Sequence, residues 1–280
     1  FVEGRPFPPF EVEIQMSSHC NLQCRWCIGA AVQQRRSVQR LSDNLDDHNI
    51  HRIVDDIIGY EEGGLRIELV KFSGFIGEPL LTKRATLNAI QRLSGAGFKV
   101  GLFTNGILMT KDTWKTLANM HYVNVSLDAG PRSYFWLKEP AAHSFTYEGF
   151  RRIISQIRGL REERDRVGRT ANITVSYVVV PGNHDEIFET AQAVKRAGAD
   201  RIRFKCDISG VFELKGECKA IAFEQLKRAG GELEDERFAV TIIHSEDDVE
   251  GQTYLDWQCS EGCHYQQFAT TIGSDGNVYL

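Results

Sequence analysis

The sequence predicts an α/β fold organised around a parallel sheet, and three observations carry that prediction. Apolar runs rich in β-branched residues alternate with stretches of helical period, the pattern of repeated strand and helix units. Each strand run is followed by a cluster of small or polar residues, and that edge is where parallel barrels and open α/β sheets build their sites. The chain has 280 residues and 42% hydrophobic content, enough for one sizeable core and an appendage.

Taken in order, the first strand is expected over Val12 to Met16, followed by the polar segment Ser17 to Cys27 and a helix over Asn44 to Gly59. A second strand over Ile67 to Phe72 leads through a glycine-containing turn to a helix over Lys83 to Ser94. The third, Val100 to Thr104, is followed by Asn105-Gly106 and a helix over Lys111 to Ala118. The fourth, Tyr122 to Leu127, ends in Asp128 to Gly130, with a helix over Tyr147 to Arg164 beyond. The fifth, Ile173 to Val180, precedes Pro181 to Asn183 and a helix over Asp185 to Arg196; the sixth is Arg201 to Lys205. Gly59, Gly95 and Gly198 suit helix C-termini. After about residue 236 the pattern changes to a strand-like RFAVTII, a polar stretch, and FATTIGSDGNVYL, in which two β-prone runs flank a hairpin signal. We therefore place a boundary there, with one domain over 1–236 and an extension over 237–280.

A formal net charge of -5 argues against a nucleic-acid partner held by a basic surface, despite the local group Arg35, Arg36 and Arg40. No run of eighteen apolar residues occurs, and FVEGRPFPPF lacks the regions of a signal peptide, so a cytoplasmic protein without a membrane partner is expected. The chain begins at Phe1 and stops at Leu280 within an apparent strand, and we expect one or both ends to be trimmed. Seven cysteines is an odd count, and three fall between Cys20 and Cys27, a layout suited to thiolates around a metal in reducing surroundings.

The segment SSHCNLQCRWCIGA places Cys20, Cys24 and Cys27 on a loop directly after the first strand. Three thiolates leave one iron of a [4Fe–4S] cluster without a protein ligand, and an open iron is what chemistry on a bound molecule needs. The bland alternative is a zinc site whose fourth ligand is His19 or a distant residue. No second cysteine pair of zinc-knuckle spacing is present.

This motif resembles that of the radical S-adenosylmethionine (SAM) superfamily, with Trp26 at its aromatic position. The resemblance implies a partial (β/α)6 TIM-like barrel, a [4Fe–4S] cluster on Cys20, Cys24 and Cys27, and SAM cleaved reductively to start radical chemistry. It also implies an electron donor such as flavodoxin or ferredoxin. FSGFIGEPLL looks like the family's glycine-rich GGEP motif, which points to Gly74, Gly77, Glu78 and Pro79 as SAM contacts. It departs from the usual pattern because Phe75 and Ile76 separate Gly74 from Gly77 where one residue is typical. FTNG places Asn105 at the site, and VSLDAG places Ser126 there with Lys138 twelve positions on, a pair expected at the methionine carboxylate. Asp128 is read equally as facing substrate or capping a turn. By the same resemblance the fifth and sixth strands pass beside adenine, with backbone groups of Val179 or Val180 and of Phe204 as candidates, and Asn183 could reach the ribose.

Cys263 followed by Gly276 resembles the opening of SPASM and twitch domains, which implies a possible auxiliary [4Fe–4S] cluster only partly supplied by this sequence, and an ordinary thiol is the alternative. Cys259 and Cys206 are candidate hydrogen-atom donors for an epimerase, and Cys218 is read in a polar loop. A small polar substrate, a sugar, aminocyclitol or nucleoside, undergoing epimerisation or dehydrogenation is the expected reading, because only nineteen residues precede Cys20. The alternative is a SPASM-type maturase acting on a ribosomally made peptide or protein.

Overall fold

The computed structural model describes residues 8–27, 44–74, 77–138, 148–207, 212–244 and 268–279. Its strands are β1 (Glu11–Gln15), a small hairpin β2 (Glu61–Glu62) and β3 (Leu65–Arg66), β4 (Leu69–Ser73), β5 (Lys99–Thr104), β6 (Tyr122–Ser126), β7 (Asn172–Val179), β8 (Arg201–Cys206), β9 (Ala239–Ile242), β10 (Ala269–Ile272) and β11 (Val278–Tyr279). All but the small hairpin form one nine-stranded sheet in the order β11-β10-β1-β4-β5-β6-β7-β8-β9, parallel throughout except where β11 turns back on β10. The helices are α1 (Asp47–Gly59), α2 (Lys83–Gly95), α3 (Lys111–Leu117), α4 (Tyr134–Lys138), α5 (Gly149–Arg166), α6 (Ile187–Ala197) and α7 (Gly216–Leu233).

Each expected strand and helix is present, and their ends follow local chemistry. Asp46 caps α1 by accepting the Asn49 N–H; Thr110 and Thr113 close α3 with a reciprocal capping box. α6 stops at Gly198, whose φ of 86° is the left-handed conformation a helix C-terminus favours. The hairpin signalled after residue 268 forms as β10 and β11, with Gly276 at φ 79° in its turn. β10 pairs in parallel with β1 and β9 with β8, so segments beyond residue 236 extend both edges of the sheet.

The small hairpin of β2 and β3 was not expected, and neither were three further elements. α7 carries Cys218, which the sequence had placed in a polar loop; Gly216, Gly230 and Gly231 dilute its helical pattern, yet Ala222, Leu226, Ala229 and Leu233 form its buried face. α4 is only five residues long, and Pro79–Thr82 forms a 3-10 turn. Among the described residues no helix is long and apolar enough to cross a membrane.

Strand alternation sorts the sheet into two unlike faces. Val12, Ile14, Val70, Phe72, Leu102, Val123, Ile173, Val175 and Ile202 are buried in the continuous apolar core with the buried faces of the helices. The opposite, inner face carries Glu13, Lys71, Tyr122, Asn124, Ser176 and Arg203 at the intervening positions. TIM-barrel interiors are ordinarily filled by branched aliphatic side chains. Here the positions between the core residues are polar instead.

Candidate active site

The three cysteines lie on the loop leaving β1, and four anchors hold that loop over the C-terminal ends of neighbouring strands. The Glu78 N–H donates to the His19 carbonyl at 2.8 Å, and Gly77 packs so closely that a Cβ on it would stand 2.0 Å from the Ser17 oxygen. Glycine is required at 77 for that approach. Asn105 Nδ2 donates to Asn21 Oδ1 at 2.8 Å and reaches Cys20 Sγ at 3.7 Å. The Gln23 and Arg25 N–H groups donate to the Lys138 and Leu137 carbonyls, so α4 clamps the other side of the loop. Ser17 Oγ and Asn44 Oδ1, 2.5 Å apart, tie its start to the approach of α1.

Glu78 is 2% exposed, and its carboxylate is fully engaged. Oε1 accepts the Leu80 N–H and the Thr104 hydroxyl, while Oε2 accepts the Asn105 N–H. Burial pushes its carboxyl above the usual range, and these donors work against that shift. Glu78 therefore joins the end of β4 to the end of β5. Pro79 is buried at the start of the 3-10 turn, and its carbonyl accepts the hydroxyls of Thr82 and Thr86. Gly74 is folded back on Gly77, since a Cβ there would lie 1.5 Å from the Gly77 oxygen. Phe75 and Ile76, which lengthen this motif, lie outside the described residues.

Ser126 and Lys138 do come together, through a different atom than expected. The Lys138 ammonium donates to the Ser126 backbone carbonyl at 3.0 Å and to Asp128 Oδ2 at 3.0 Å, and it lies 5.9 Å from the Trp26 ring centre. Lys138 is 2% exposed; burial alone would favour the neutral amine, but the Asp128 carboxylate together with the neighbouring Cys24 and Tyr134 outweighs it and keeps the ammonium charged. Asp128 adopts φ 50°, a left-handed conformation that Asp tolerates, and its Oδ1 accepts the Val178 N–H. The equal choice left open for Asp128 resolves toward structure: it ties β6, β7 and α4 together.

Several sequence candidates occupy other roles. Asn183 is fully buried; its Oδ1 accepts the Val180 N–H, and its Nδ2 donates to the carbonyls of Asp128 and Val178. Its amide is consumed in holding the turn after β7 and is not free for a ribose. Val180 is buried with both backbone groups bonded to Asn183. Phe204 is buried edge-on to Tyr177 at 5.4 Å, and its carbonyl accepts the Ile243 N–H. Cys206 shares the core face of β8 with Ile202 and Phe204, and burial pushes its thiol up to about 11. Standing on the helix side, it is turned away from the barrel interior and is a poor hydrogen donor to a radical formed there. Cys259 and Cys263 lie outside the described residues.

The donor set fits a [4Fe–4S] cluster. Cys20, Cys24 and Cys27 are half-buried; the Cys20 thiol feels the charge of Cys24, and Cys24 that of Cys27. Burial pushes the Cys20 thiol up to about 11 and also raises Cys24, with Lys138 opposing the shift at both. Among the described residues no three His, Cys, Asp or Glu side chains are gathered to hold one metal ion. A mononuclear zinc site requires that convergence, whereas a cluster takes one thiolate per iron and spaces its ligands apart. Asn21 Nδ2 and the Tyr134 hydroxyl are buried without a partner among the described residues, and Tyr134 stands close enough to Cys20 and Cys24 to feel their charge. Both are donors available to sulfur or to a bound ligand. A charged cleft of about 980 Å³, lined by Arg164, Arg169, Lys195, Asp200 and Asp235, lies at the opposite edge of the strands and contains none of the site candidates.

Asn21, Thr104 and α4 were missed. Asn21 and Thr104 each adjoin a motif residue, Cys20 and Asn105, which was the available signal.

Comparisons with known proteins agree with this geometry. Residues 14–194 match the model of the radical SAM superfamily. The chain is 25% identical over 190 residues to the tungsten-containing aldehyde ferredoxin oxidoreductase cofactor-modifying protein of Pyrococcus furiosus, covering 67% of this chain and 48% of that protein. Among solved structures, Streptococcus suis SuiB bound to precursor peptide SuiA matches with TM-score 0.62 at 18% identity, over 96% of this chain and 58% of that one. Native anSMEcpe with bound AdoMet matches with TM-score 0.58 at 20% identity, over 83% of this chain and 64% of that one. The chain thus spans about half the length of the curated relative and under two thirds of each of these structures.

Proposed function

Because the chain belongs to the radical SAM superfamily, whose members use a [4Fe–4S] cluster and SAM, we propose that it abstracts hydrogen from a polar substrate held inside its barrel. The observation that carries this reading is the convergence of the Cys20, Cys24 and Cys27 loop with Glu78, Asn105 and the Lys138–Asp128 pair above a polar inner wall. When bound, the cluster and SAM supply reductive cleavage to methionine and a 5′-deoxyadenosyl radical.

The protein's own part is to place and isolate that chemistry. Cys20, Cys24 and Cys27 hold the cluster, with Trp26 packed beside the Lys138 ammonium. Ser126 offers its hydroxyl to the methionine carboxylate. Lys138 offers at most its third N–H, since Ser126 and Asp128 take two, and its charge is already balanced. Gly74 folds onto Gly77, Gly77 packs against the start of the cysteine loop where a bound cluster would lie, and Glu78 and Asn105 fix that backbone in place. An electron donor such as flavodoxin or ferredoxin would supply the one electron that the reductive cleavage consumes.

Similarity to a cofactor-modifying protein and the polar inner face both support a small polar substrate. The likeness to SuiB, at 18% identity, concerns the fold alone. With Cys206 turned toward the core, an epimerase reading rests on Cys259, and an oxidative one on an auxiliary cluster that includes Cys263. The enzyme reading is tested by incubating anaerobically reconstituted, reduced protein with SAM and measuring 5′-deoxyadenosine by mass spectrometry. Formation that Cys24→Ala abolishes is expected; none from the wild type would reject the reading.

A further inference from the structure

On the inner wall below the site, three polar side chains of β6, β7 and β8 follow one diagonal, with Asn124 one inner-face position below Ser126, the residue in register with Ser176. Ser176 of β7 stands opposite Arg203 of β8 in register, and Ser176 Oγ donates to Asn124 Oδ1 of β6 at 2.9 Å. Asn124 is 3% exposed, yet its Nδ2 has no partner among the described residues, and neither has the buried Nε of Arg203. Buried donors left unpaired are rare because each forfeits its hydration for nothing. Here the Ser176 bond fixes the Asn124 amide with its oxygen occupied, so only a donor is presented.

The charges along the wall are arranged to match. On the inner face of β1 and β4, Lys71 is bracketed by Glu11 at 2.6 Å and Glu13 at 2.8 Å, a group with net negative charge. Arg203 has no such carboxylate among the described ion pairs, and its field reaches Tyr122, which also feels Lys71, Glu11 and Glu13. The inner wall is therefore acidic at β1 and β4 and basic at β8. Arg203, Ser176 and Asn124 lie two or three residues below the ends of their strands, about 7–10 Å along the strand.

Resting on the reading of the barrel as the substrate chamber, we propose that Asn124 and Arg203 form a docking site for an anionic group of the substrate, a carboxylate or a phosphate. A guanidinium and a fixed amide donor suit either oxyanion, and anchoring that end would hold the rest of the molecule up toward the radical.

The test reads binding without turnover, on the cluster-loaded protein. Thermal midpoints are measured at constant ionic strength with inorganic phosphate, with succinate and with chloride alone. Phosphate or succinate is expected to raise the wild-type midpoint above the chloride control, and whichever does so names the group. Arg203→Gln is expected to weaken that anion at least about tenfold. Arg203→Lys should retain part of the effect, and Asn124→Asp, which sets a carboxylate in the site, should abolish it. No shift above chloride, or a shift that persists unchanged in Arg203→Gln and Asn124→Asp, would overturn the proposal; the second result would assign the anion to surface cations such as Arg169 and Lys195. Wild-type 5′-deoxyadenosine formation is read separately, so loss of anion binding alone rejects this site and leaves the enzyme reading standing.

Discussion

Lys138→Met removes a buried ammonium while keeping most of its hydrocarbon, and it should be costly because of what stays behind. Asp128 would lose its counter-charge with its side chain 10% exposed, and the Ser126 carbonyl would lose its donor. Breaking a buried pair from one side costs about 3–5 kcal/mol, since the remaining charge is neither solvated nor paired. At roughly 2–4 °C per kcal/mol for a chain of this size, the thermal midpoint should fall by about 6–20 °C. Asp128→Asn keeps a residue type that tolerates φ 50° and still accepts the Val178 N–H, so it removes the charge without disturbing the backbone. The double variant Lys138→Met with Asp128→Asn should then be less destabilised than the sum of the two, by at least about 1.5 kcal/mol. Circular dichroism melts of the four proteins, prepared anaerobically without SAM, give the cycle. Coupling below about 0.5 kcal/mol would refute the view that this pair is the scaffold joining α4 to β6.

Three further outcomes follow from the same geometry. Cys20→Ala, Cys24→Ala and Cys27→Ala should each strip iron and sulfide from reconstituted protein, whereas Cys206→Ala should leave both unchanged; metal and sulfide analysis decides. Gly77→Ala places a methyl 2.0 Å from the Ser17 oxygen and should loosen the cysteine loop, seen as faster amide exchange over residues 17–27 than in Gly95→Ala, where nothing lies within 4 Å. Burial pushes the Tyr122 hydroxyl up to about 12 from its ordinary 10, so the folded state favours the neutral phenol: that contribution is intact below pH 10 and is lost as pH rises toward 12. Tyr122→Phe should flatten this part of the alkaline stability curve, and an unchanged slope in urea titrations between pH 9 and about 12 would contradict the assignment.

Much of the barrel was legible in the sequence because the signals were local. Strand runs, helix caps and the SDGN hairpin all declare themselves within a few residues, and the cysteine spacing carries its own chemistry. What was hidden depends on partners far apart in the chain. The spacing of Ser126 and Lys138 was visible, but that Asp128 would neutralise the lysine required the left-handed turn at 128. A polar residue after a strand reads the same whether it meets a ligand or closes a turn, and Asn183 does the latter. Cys206 could be placed at a strand end, but which face it takes is set by the burial of Ile202 and Phe204 beside it. The helix α7 was obscured by its glycines, and the parallel pairing of β10 with β1 joins residues too distant for any local pattern to report.

Electron paramagnetic resonance of the reduced, reconstituted protein before and after adding SAM tests whether three thiolates hold a cluster whose fourth iron is open to SAM. A [4Fe–4S]⁺ signal is expected, lost in Cys24→Ala, with g values that shift when SAM is added. A protein that retains one zinc and gives no such signal, or a cluster signal indifferent to SAM, would contradict it.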